Sequence, residues 1–127
     1  MPVLYHAIGR KDPRFPIGPV KYYASAKARG KITLKELAKK IAATSSLSAG
    51  DTYGVLTQMQ DQVSELLGEG FIVDIGLGTF VITLDSKGEN APLEVNDDSI
   101  EGNRLNFRPN KEMKDDLNTI EYEKEQE

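Results

Sequence analysis

The order of three segments in the middle of the chain constrains its fold more than any single motif does. Two stretches with apolar residues at helical spacing are followed by two β-rich runs within residues 70–82, and a turn containing Gly76 and Gly78 joins these runs. Glycines two positions apart allow positive backbone φ angles and therefore favour a tight hairpin or a bulge. The sequence thus predicts helix, helix and hairpin in that order, within an α+β domain.

The two helices have recognisable starts. Thr33 and Glu36 occupy the two positions of a capping box, which predicts that the first helix begins near Thr33. Ser48 is the predicted cap of the second helix, and Gly68 and Gly70 are predicted to end it. The apolar positions recur at helical spacing in both segments, as Leu34, Leu37, Ala38, Ile41 and Ala42 and then as Val55, Leu56, Met59, Val63, Leu66 and Leu67.

Residues outside this central part divide into an extension, an arm, a return strand and a tail. Prolines 2, 13, 16 and 19 exclude a long helix from the first 32 residues, where two strands are expected on either side of a basic, proline-rich loop. After the hairpin we expect a polar tip at 85–92, an extended stretch around 93–95, a return strand at 104–108 and a short helix at 109–117. The predicted division is an N-terminal extension at 1–32, a domain at 33–117, and an acidic, frayed or disordered tail at 118–127.

Composition argues against several classes of protein. The 127 residues fit one domain, and with no cysteine and only one histidine, His6, they offer neither thiolate nor multi-histidine metal sites. The longest apolar runs fall short of the roughly 20 residues that span a membrane, and the N-terminus does not have the pattern of a signal peptide. We also find no nucleophile–base pair and no phosphate-cradling glycine loop. We therefore expect a cytoplasmic, non-enzymatic protein without catalytic residues, metal, cofactor, membrane association or small-molecule substrate.

Charge is distributed unevenly along the chain. Residues 1–40 contain ten basic and two acidic side chains, a net charge of +8, whereas the whole chain carries −4, so that residues 41–127 carry −12. One interpretation is that the first part binds an anionic partner. The other is that the basic and acidic segments neutralise one another in the fold. Both remain open from the sequence alone.

Four motifs in order resemble the bacterial histone-like HU/IHF family, over roughly residues 33–117. Thr33, Glu36 and Leu37 resemble the opening helix of the family, and Leu47-Ser48 resembles its turn into the second helix. Residues 76–80 are similar to its G-F-G-T-F hairpin, with Leu77 in place of the aromatic residue. Residues 107–115 are similar to its F-x-x-G-K-x-L-K-D return strand and last helix, with Asn110 in place of glycine and Met113 in place of leucine. The extension before Thr33, with Lys21-Tyr22-Tyr23, most resembles HU-related DNA-binding proteins of Bacteroidetes, which have an N-terminal extension and a reduced arm.

The resemblance implies an HU/IHF-like α+β fold: two helices, a three-stranded antiparallel sheet with a short β-arm, and a short C-terminal helix, in an intertwined homodimer. The strand-containing extension precedes it. The resemblance also implies that the partner of the protein is duplex DNA, which the two arms hold in the minor groove, and that the protein is located in the nucleoid. The many apolar positions of the second helix and the hairpin independently favour a dimer, although other core arrangements are able to absorb them.

Candidate DNA-binding residues follow from the resemblance and from charge. The resemblance places phosphate contacts on the return strand and the last helix, and the other candidates are cations of the arm and of the proline-rich loop. The full set is Lys87, Arg104, Arg108, Lys111, Lys114, Arg10, Lys11 and Arg14. The alternatives are a solvated, charge-balanced face for the C-terminal set, and for the loop an extension that Phe15, Tyr22 and Tyr23 staple to the body.

The arm departs from the family pattern. Lys87 is its one cation, whereas Asp85 and Glu89 lie close by and further acidic residues follow, so we expect the arm to wrap DNA poorly. Pro92 is either a wedge between base steps or a plain turn proline. The leading hypothesis is a histone-like protein that binds duplex DNA through phosphate contacts with low sequence specificity. The alternative is an HU-fold module for protein interaction or assembly with little DNA affinity.

Overall fold

The computed structural model describes residues 1–126 and divides the chain into two compact units. One unit comprises Met1–Thr33 together with the chain from Asp116 onward, and the other is Leu34–Asp115. The architecture is α+β, with three α-helices and two three-stranded sheets among the described residues, and the α+β class is therefore confirmed. The predicted domain boundaries, between residues 32 and 33 and between residues 117 and 118, stay predictions.

The unit Leu34–Asp115 contains the elements that the central motifs predict. In chain order these are α1 (Leu34–Ala43), α2 (Ala49–Gly68), β3 (Val73–Asp74), β4 (Gly78–Ser86) and β5 (Ile100–Pro109), followed by α3 (Lys111–Asn118), within which the boundary between the units falls. The strands form an antiparallel sheet in the order β3-β4-β5. The helix α1 packs against α2, and α2 also contacts β3 and β4.

Local chemistry explains both ends of α2. The Oγ of Ser48 accepts a hydrogen bond from the backbone N–H of Asp51 at 3.0 Å, which confirms Ser48 as the N-cap. At the other end Gly70 adopts a φ of +93°, and the backbone N–H of Phe71 reaches the carbonyl of Leu66 at 3.1 Å. A left-handed glycine of this kind satisfies carbonyls that the last turn leaves free.

The interior of this unit is small. Among the described residues the buried apolar side chains are Ala38, which is 1% exposed, and Leu67, which is 8% exposed. The rings of Phe80 and Phe107 lie on facing positions of β4 and β5, with their centroids 5.0 Å apart. Large apolar side chains such as Val55 remain exposed on α2, so this unit leaves much of its apolar surface uncovered.

The other unit contains a second three-stranded sheet. Two of its strands, β1 (Val3–Arg10) and β2 (Lys21–Lys27), lie on either side of the proline-rich loop, as the sequence predicts, and they pair with each other in antiparallel orientation. The third strand, β6 (Tyr122–Lys124), comes from the acidic tail and pairs in parallel with Val3–Tyr5 of β1.

The prediction of a frayed or disordered tail is therefore wrong for residues 122–124. The backbone N–H of Val3 donates to the carbonyl of Glu121 at 2.8 Å, the N–H of Glu125 donates to the carbonyl of Tyr5 at 2.8 Å, and Lys27 forms an ion pair with Glu125. A short strand gains stability when it satisfies the open edge of a sheet, whatever its own propensity. Glu127, the last residue of the tail, lies outside the described residues.

Two further details differ from expectation. The segment expected to be extended around 93–95 is a 3-10 turn, Pro92–Glu94, which a second turn, Asp97–Ser99, follows. Pro92 stands at the start of its turn, the position in which its fixed φ angle and missing N–H cost least. Pro109 ends β5, and Asn110 is the residue that caps α3, because its Oδ1 accepts from the N–H of Met113 at 2.8 Å.

Candidate nucleic-acid interface

The glycine turn and the start of α3 are held together by Asn110. Its backbone N–H donates to the carbonyl of Leu77 at 3.0 Å, and its side-chain amide donates to the carbonyl of Gly76. Since the same side chain accepts the N–H of Met113, Asn110 links the turn to the first turn of the helix. In the sequence Asn110 is notable only as the residue in place of the glycine of the family motif, and its position at a strand-to-helix junction gives no signal of these partners.

Gly76 and Gly78 serve different purposes in the turn. Gly76 has a φ of +89°, in the left-handed region, and its N–H donates to Oδ1 of Asp74 at 2.8 Å. Gly78 is not among the glycines with positive φ, and the prediction of positive φ is wrong there. A Cβ at Gly78 would lie 2.4 Å from the carbonyl oxygen of Arg108 and 2.6 Å from the ring of Phe107. Gly78 thus allows β4 to approach β5 closely.

Three predicted DNA-binding cations lie at the end of β5 and on α3, next to this turn. Arg108 is near the end of β5, and Lys111 and Lys114 lie one turn apart on α3, where residues three positions apart share a face. All three are exposed, and within residues 1–126 none of them has an acidic partner within 4.0 Å. Arg108, Lys111 and Lys114 are called the C-terminal cation set below.

Lys87 of the arm and Arg104 of the return strand are each paired with an acidic neighbour. The Nε of Arg104 lies 3.0 Å from Oδ1 of Asp85 on the facing strand, and the Nζ of Lys87 lies 3.9 Å from Oε1 of Glu89. Both pairs are largely exposed and contribute little to stability. They nevertheless place a carboxylate beside each cation, which reduces the attraction that the arm exerts on phosphates.

The tip of the arm is closed around Ser99. This residue is 1% exposed; its hydroxyl donates to Oε1 of Glu89 at 3.0 Å and accepts the backbone N–H of Asn96 at 3.2 Å. The backbone N–H of Lys87 donates to the carbonyl of Ser99 at 3.0 Å, which closes the loop at the end of the ladder. Leu93 projects from this tip and is 99% exposed. The tip is thus a compact, hydrogen-bonded loop rather than a long basic ribbon.

The remaining predicted cations lie on the loop between β1 and β2. Arg10 ends β1, and Lys11 and Arg14 follow it; all three are exposed. The Nε of Arg14 lies 3.4 Å from Oδ1 of Asp12, so Arg14 is paired, whereas Arg10 and Lys11 have no such partner in the described part of the chain. The C-terminal cation set and the loop cations belong to different units.

Groups suited to other chemistries do not gather in the part of the chain that the structure describes. Residues 1–126 contain no group of three or more histidine, cysteine, aspartate or glutamate side chains placed to hold a metal ion. No helix within those residues is both long enough and apolar enough to cross a membrane. The Nδ1 of His6 is buried and without a hydrogen-bond partner among the same residues.

The elements of the unit Leu34–Asp115 define the class of domain: a helical pair, an antiparallel sheet with a short arm, and a final short helix, as in HU-like proteins. Residues 1–124 match the model of the family HU-HIG, described as an HU domain fused to a winged helix-turn-helix, immunoglobulin-like or glycine-rich motif. The chain belongs to this family. The resemblance to HU-like proteins is thus confirmed, while the narrower assignment to proteins of Bacteroidetes stays a prediction.

A solved structure supports the fold independently of sequence. The chain is similar to a protein from Bacteroides vulgatus ATCC 8482 described as a "putative bacterial DNA binding protein", with a TM-score of 0.67 and 10% sequence identity. The match covers 96% of this chain and 48% of that protein, so the chain spans about half the length of its structural relative. No curated protein matches the sequence.

Proposed function

We propose that this chain is a non-enzymatic, histone-like protein that binds duplex DNA through phosphate contacts, with low sequence specificity, as a homodimer in the nucleoid. The observation that carries the proposal is the C-terminal cation set: three exposed cations, without acidic partners among residues 1–126, on a strand-to-helix junction of an HU-family domain. Cations that contact phosphates release condensed counterions from DNA and so supply sequence-independent affinity.

The amount of exposed surface supports the homodimer. The chain exposes 10782 Å², whereas two separate compact bodies of the sizes of the two units would together expose about 8,000 Å². Obligate homodimers bury roughly 2,000–5,000 Å² of largely apolar surface. A second copy therefore has enough surface to cover, and the exposed apolar side chains that it would bury include Val55 and Met59 on α2 and Leu105 on β5.

Salt dependence of DNA binding tests the proposal. Each phosphate contact that is lost reduces the slope of log affinity against log salt concentration by roughly 0.9. The double variant Lys111→Ala/Lys114→Ala removes up to four contacts from a symmetric dimer, and the slope should fall accordingly. Lys31→Ala/Lys124→Ala removes the same charge from the other unit and is the matched control.

The outcomes separate the possibilities. A protein that binds no duplex at low salt is not a DNA-binding protein of this kind. Binding that keeps its full slope in Lys111→Ala/Lys114→Ala moves the contact surface to the basic loop, and Arg10→Ala with Arg14→Ala should then carry the loss. Exposed lysines alter stability by no more than about 0.5 kcal/mol, so the fold should survive these changes.

The arm favours a second candidate function, a module for protein interaction or assembly. Its cation Lys87 and the neighbouring Arg104 of β5 are paired with carboxylates, and its tip presents Leu93 beside acidic residues. Such a tip suits a basic, partly apolar protein surface better than a polyanion. If Leu93→Ser leaves DNA affinity unchanged and the parent protein binds duplex only weakly at low salt, this second function gains support.

A further inference from the structure

The loop that joins β1 and β2 forms a cavity of about 270 Å³ that is open to solvent. The cationic side chains of Arg10, Lys11 and Lys21 line it, together with Tyr23, Asp12 and two prolines. All of these residues belong to the unit that contains Met1–Thr33. Since a water molecule takes about 30 Å³ in the liquid, the cavity has room for a tetrahedral oxyanion and several waters.

The cationic residues of the cavity lie in an arrangement that is unfavourable for the stability of the β1–β2 hairpin. Arg10 and Lys21 are directly opposite each other in the closing pair of the β1–β2 ladder, and like charges at facing positions destabilise a hairpin. Lys11 follows immediately and adds a third cation. Within residues 1–126, none of the three has an acidic partner within 4.0 Å.

Asp12, the carboxylate that lines the cavity, already interacts with Arg14. Asp12 accepts the backbone N–H of Arg14 at 2.9 Å, and its Oδ1 lies 3.4 Å from the Nε of Arg14. The charge of Asp12 is therefore balanced by Arg14, whose side chain is not part of the lining. The cavity keeps an excess of cations that an external anion is able to neutralise.

The loop is also held in shape before any ligand arrives. The backbone N–H of Phe15 donates to the carbonyl of Asp12 at 2.9 Å, and the N–H of Gly18 donates to the carbonyl of Phe15 at 2.8 Å, which makes two consecutive turns. Prolines at positions 13, 16 and 19 fix φ on each side of these turns. A loop ordered in advance loses less conformational entropy when it binds a ligand.

We propose that this cavity binds a phosphate group, with Arg10, Lys11 and Lys21 as its cationic ligands, and that the phosphate belongs to the backbone of DNA. Guanidinium and ammonium groups are the side-chain groups that bind phosphate oxygens most strongly, and three cationic residues line this one cavity. Tyr23 adds a hydroxyl donor. The choice of DNA as the source rests on the proposed function, whereas the phosphate site itself does not. Arg14 acts indirectly, by neutralising Asp12.

The site is tested first with inorganic phosphate and pyrophosphate and the full chain, by thermal unfolding at constant ionic strength. Binding to the folded state raises the unfolding temperature as phosphate concentration rises. Lys21→Gln removes the Arg10–Lys21 repulsion, so this variant should be at least as stable as the parent without phosphate and should lose the phosphate response. Lys31→Gln removes the same charge outside the cavity and should keep that response. A parent protein that phosphate and pyrophosphate leave unchanged overturns the site.

The source of the phosphate is tested with duplex DNA. In the Lys111→Ala/Lys114→Ala background, Arg10→Gln/Lys21→Gln should lower the salt slope further, by roughly 0.9 for each lost contact, and should weaken low-salt binding about tenfold or more. An unchanged slope in a protein that still binds pyrophosphate overturns the DNA source and assigns the cavity to a small phosphorylated ligand. Pyrophosphate binding without any DNA binding contradicts the proposed function but supports the site.

Discussion

Replacement of Gly78 by alanine should destabilise the unit Leu34–Asp115 strongly, although the change adds only one methyl group. That methyl carbon would lie 2.4 Å from the carbonyl oxygen of Arg108 and 2.6 and 2.7 Å from two ring carbons of Phe107. Ordinary contacts with a Cβ lie at 3.4–4 Å, so the facing strand would have to move by about 1 Å. Because the nearest atom belongs to the backbone, a change of side-chain rotamer is not enough to relieve the contact.

The size of the effect follows from this geometry. Overpacking costs about 1–3 kcal/mol, and a clash with backbone belongs at the upper end, so we expect a loss of about 3 kcal/mol of unfolding free energy. For a chain of this length each kcal/mol lowers the midpoint by roughly 4 °C, which gives about 12 °C in total. The displaced ring of Phe107 also disturbs its contact with Phe80, whose centroid is 5.0 Å away.

Thermal unfolding followed by circular dichroism measures this loss, with all proteins at one concentration because the stability of the proposed homodimer would depend on concentration. Gly102→Ala is the matched control: it lies in β5, nothing lies within 4 Å of its added Cβ, and it should change stability by less than about 1 kcal/mol. Gly76→Ala should cost about 1–2 kcal/mol for its left-handed φ. Asparagine at position 76 should recover part of that cost, whereas asparagine at 78 should recover nothing. A Gly78→Ala protein within 0.5 kcal/mol of the parent, on the scale of ordinary surface changes, would refute the close-approach explanation.

Three other perturbations test the helices, the core and the tail. Ser48→Ala removes the acceptor for the N–H of Asp51 and should cost about 1 kcal/mol in denaturant unfolding, which Ser48→Asp should largely restore. Val63→Asp should unfold the protein rather than release a folded monomer, as circular dichroism with light scattering would show; a stable monomer at micromolar concentration contradicts the dimer proposal. Deleting residues 119–127 would also remove β6, so the influence of the acidic tail on DNA binding is tested with Glu121→Gln and Glu123→Gln. These substitutions keep the strand and remove negative charges that repel DNA, so they should tighten binding at low salt, whereas unchanged affinity would leave the tail as a structural strand only.

Much of the unit Leu34–Asp115 was predictable from the sequence because its determinants are local. Helical spacing of apolar residues, the cap at Ser48, the glycine at position 70 and the glycine-containing turn each act within a few residues, and the structure places the corresponding elements there. The family resemblance also came from such short segments and their order. For the candidate site, sequence reasoning found the C-terminal cation set, and its role on DNA stays a prediction.

Only the tertiary structure decided which groups far apart in the chain meet. The strand Tyr122–Lys124 forms because β1 offers an open edge, Arg104 is paired because Asp85 lies diagonally across the β4–β5 ladder, and Asn110 joins a turn more than thirty residues away in the chain. The spacing of Gly76 and Gly78 predicted one turn. It did not show that position 76 requires glycine for its left-handed φ, whereas position 78 requires glycine because the facing strand leaves no space for a side chain. A pattern along the chain records the conformational preference of each segment, whereas the contacts of a side chain depend on which other segments fold against it.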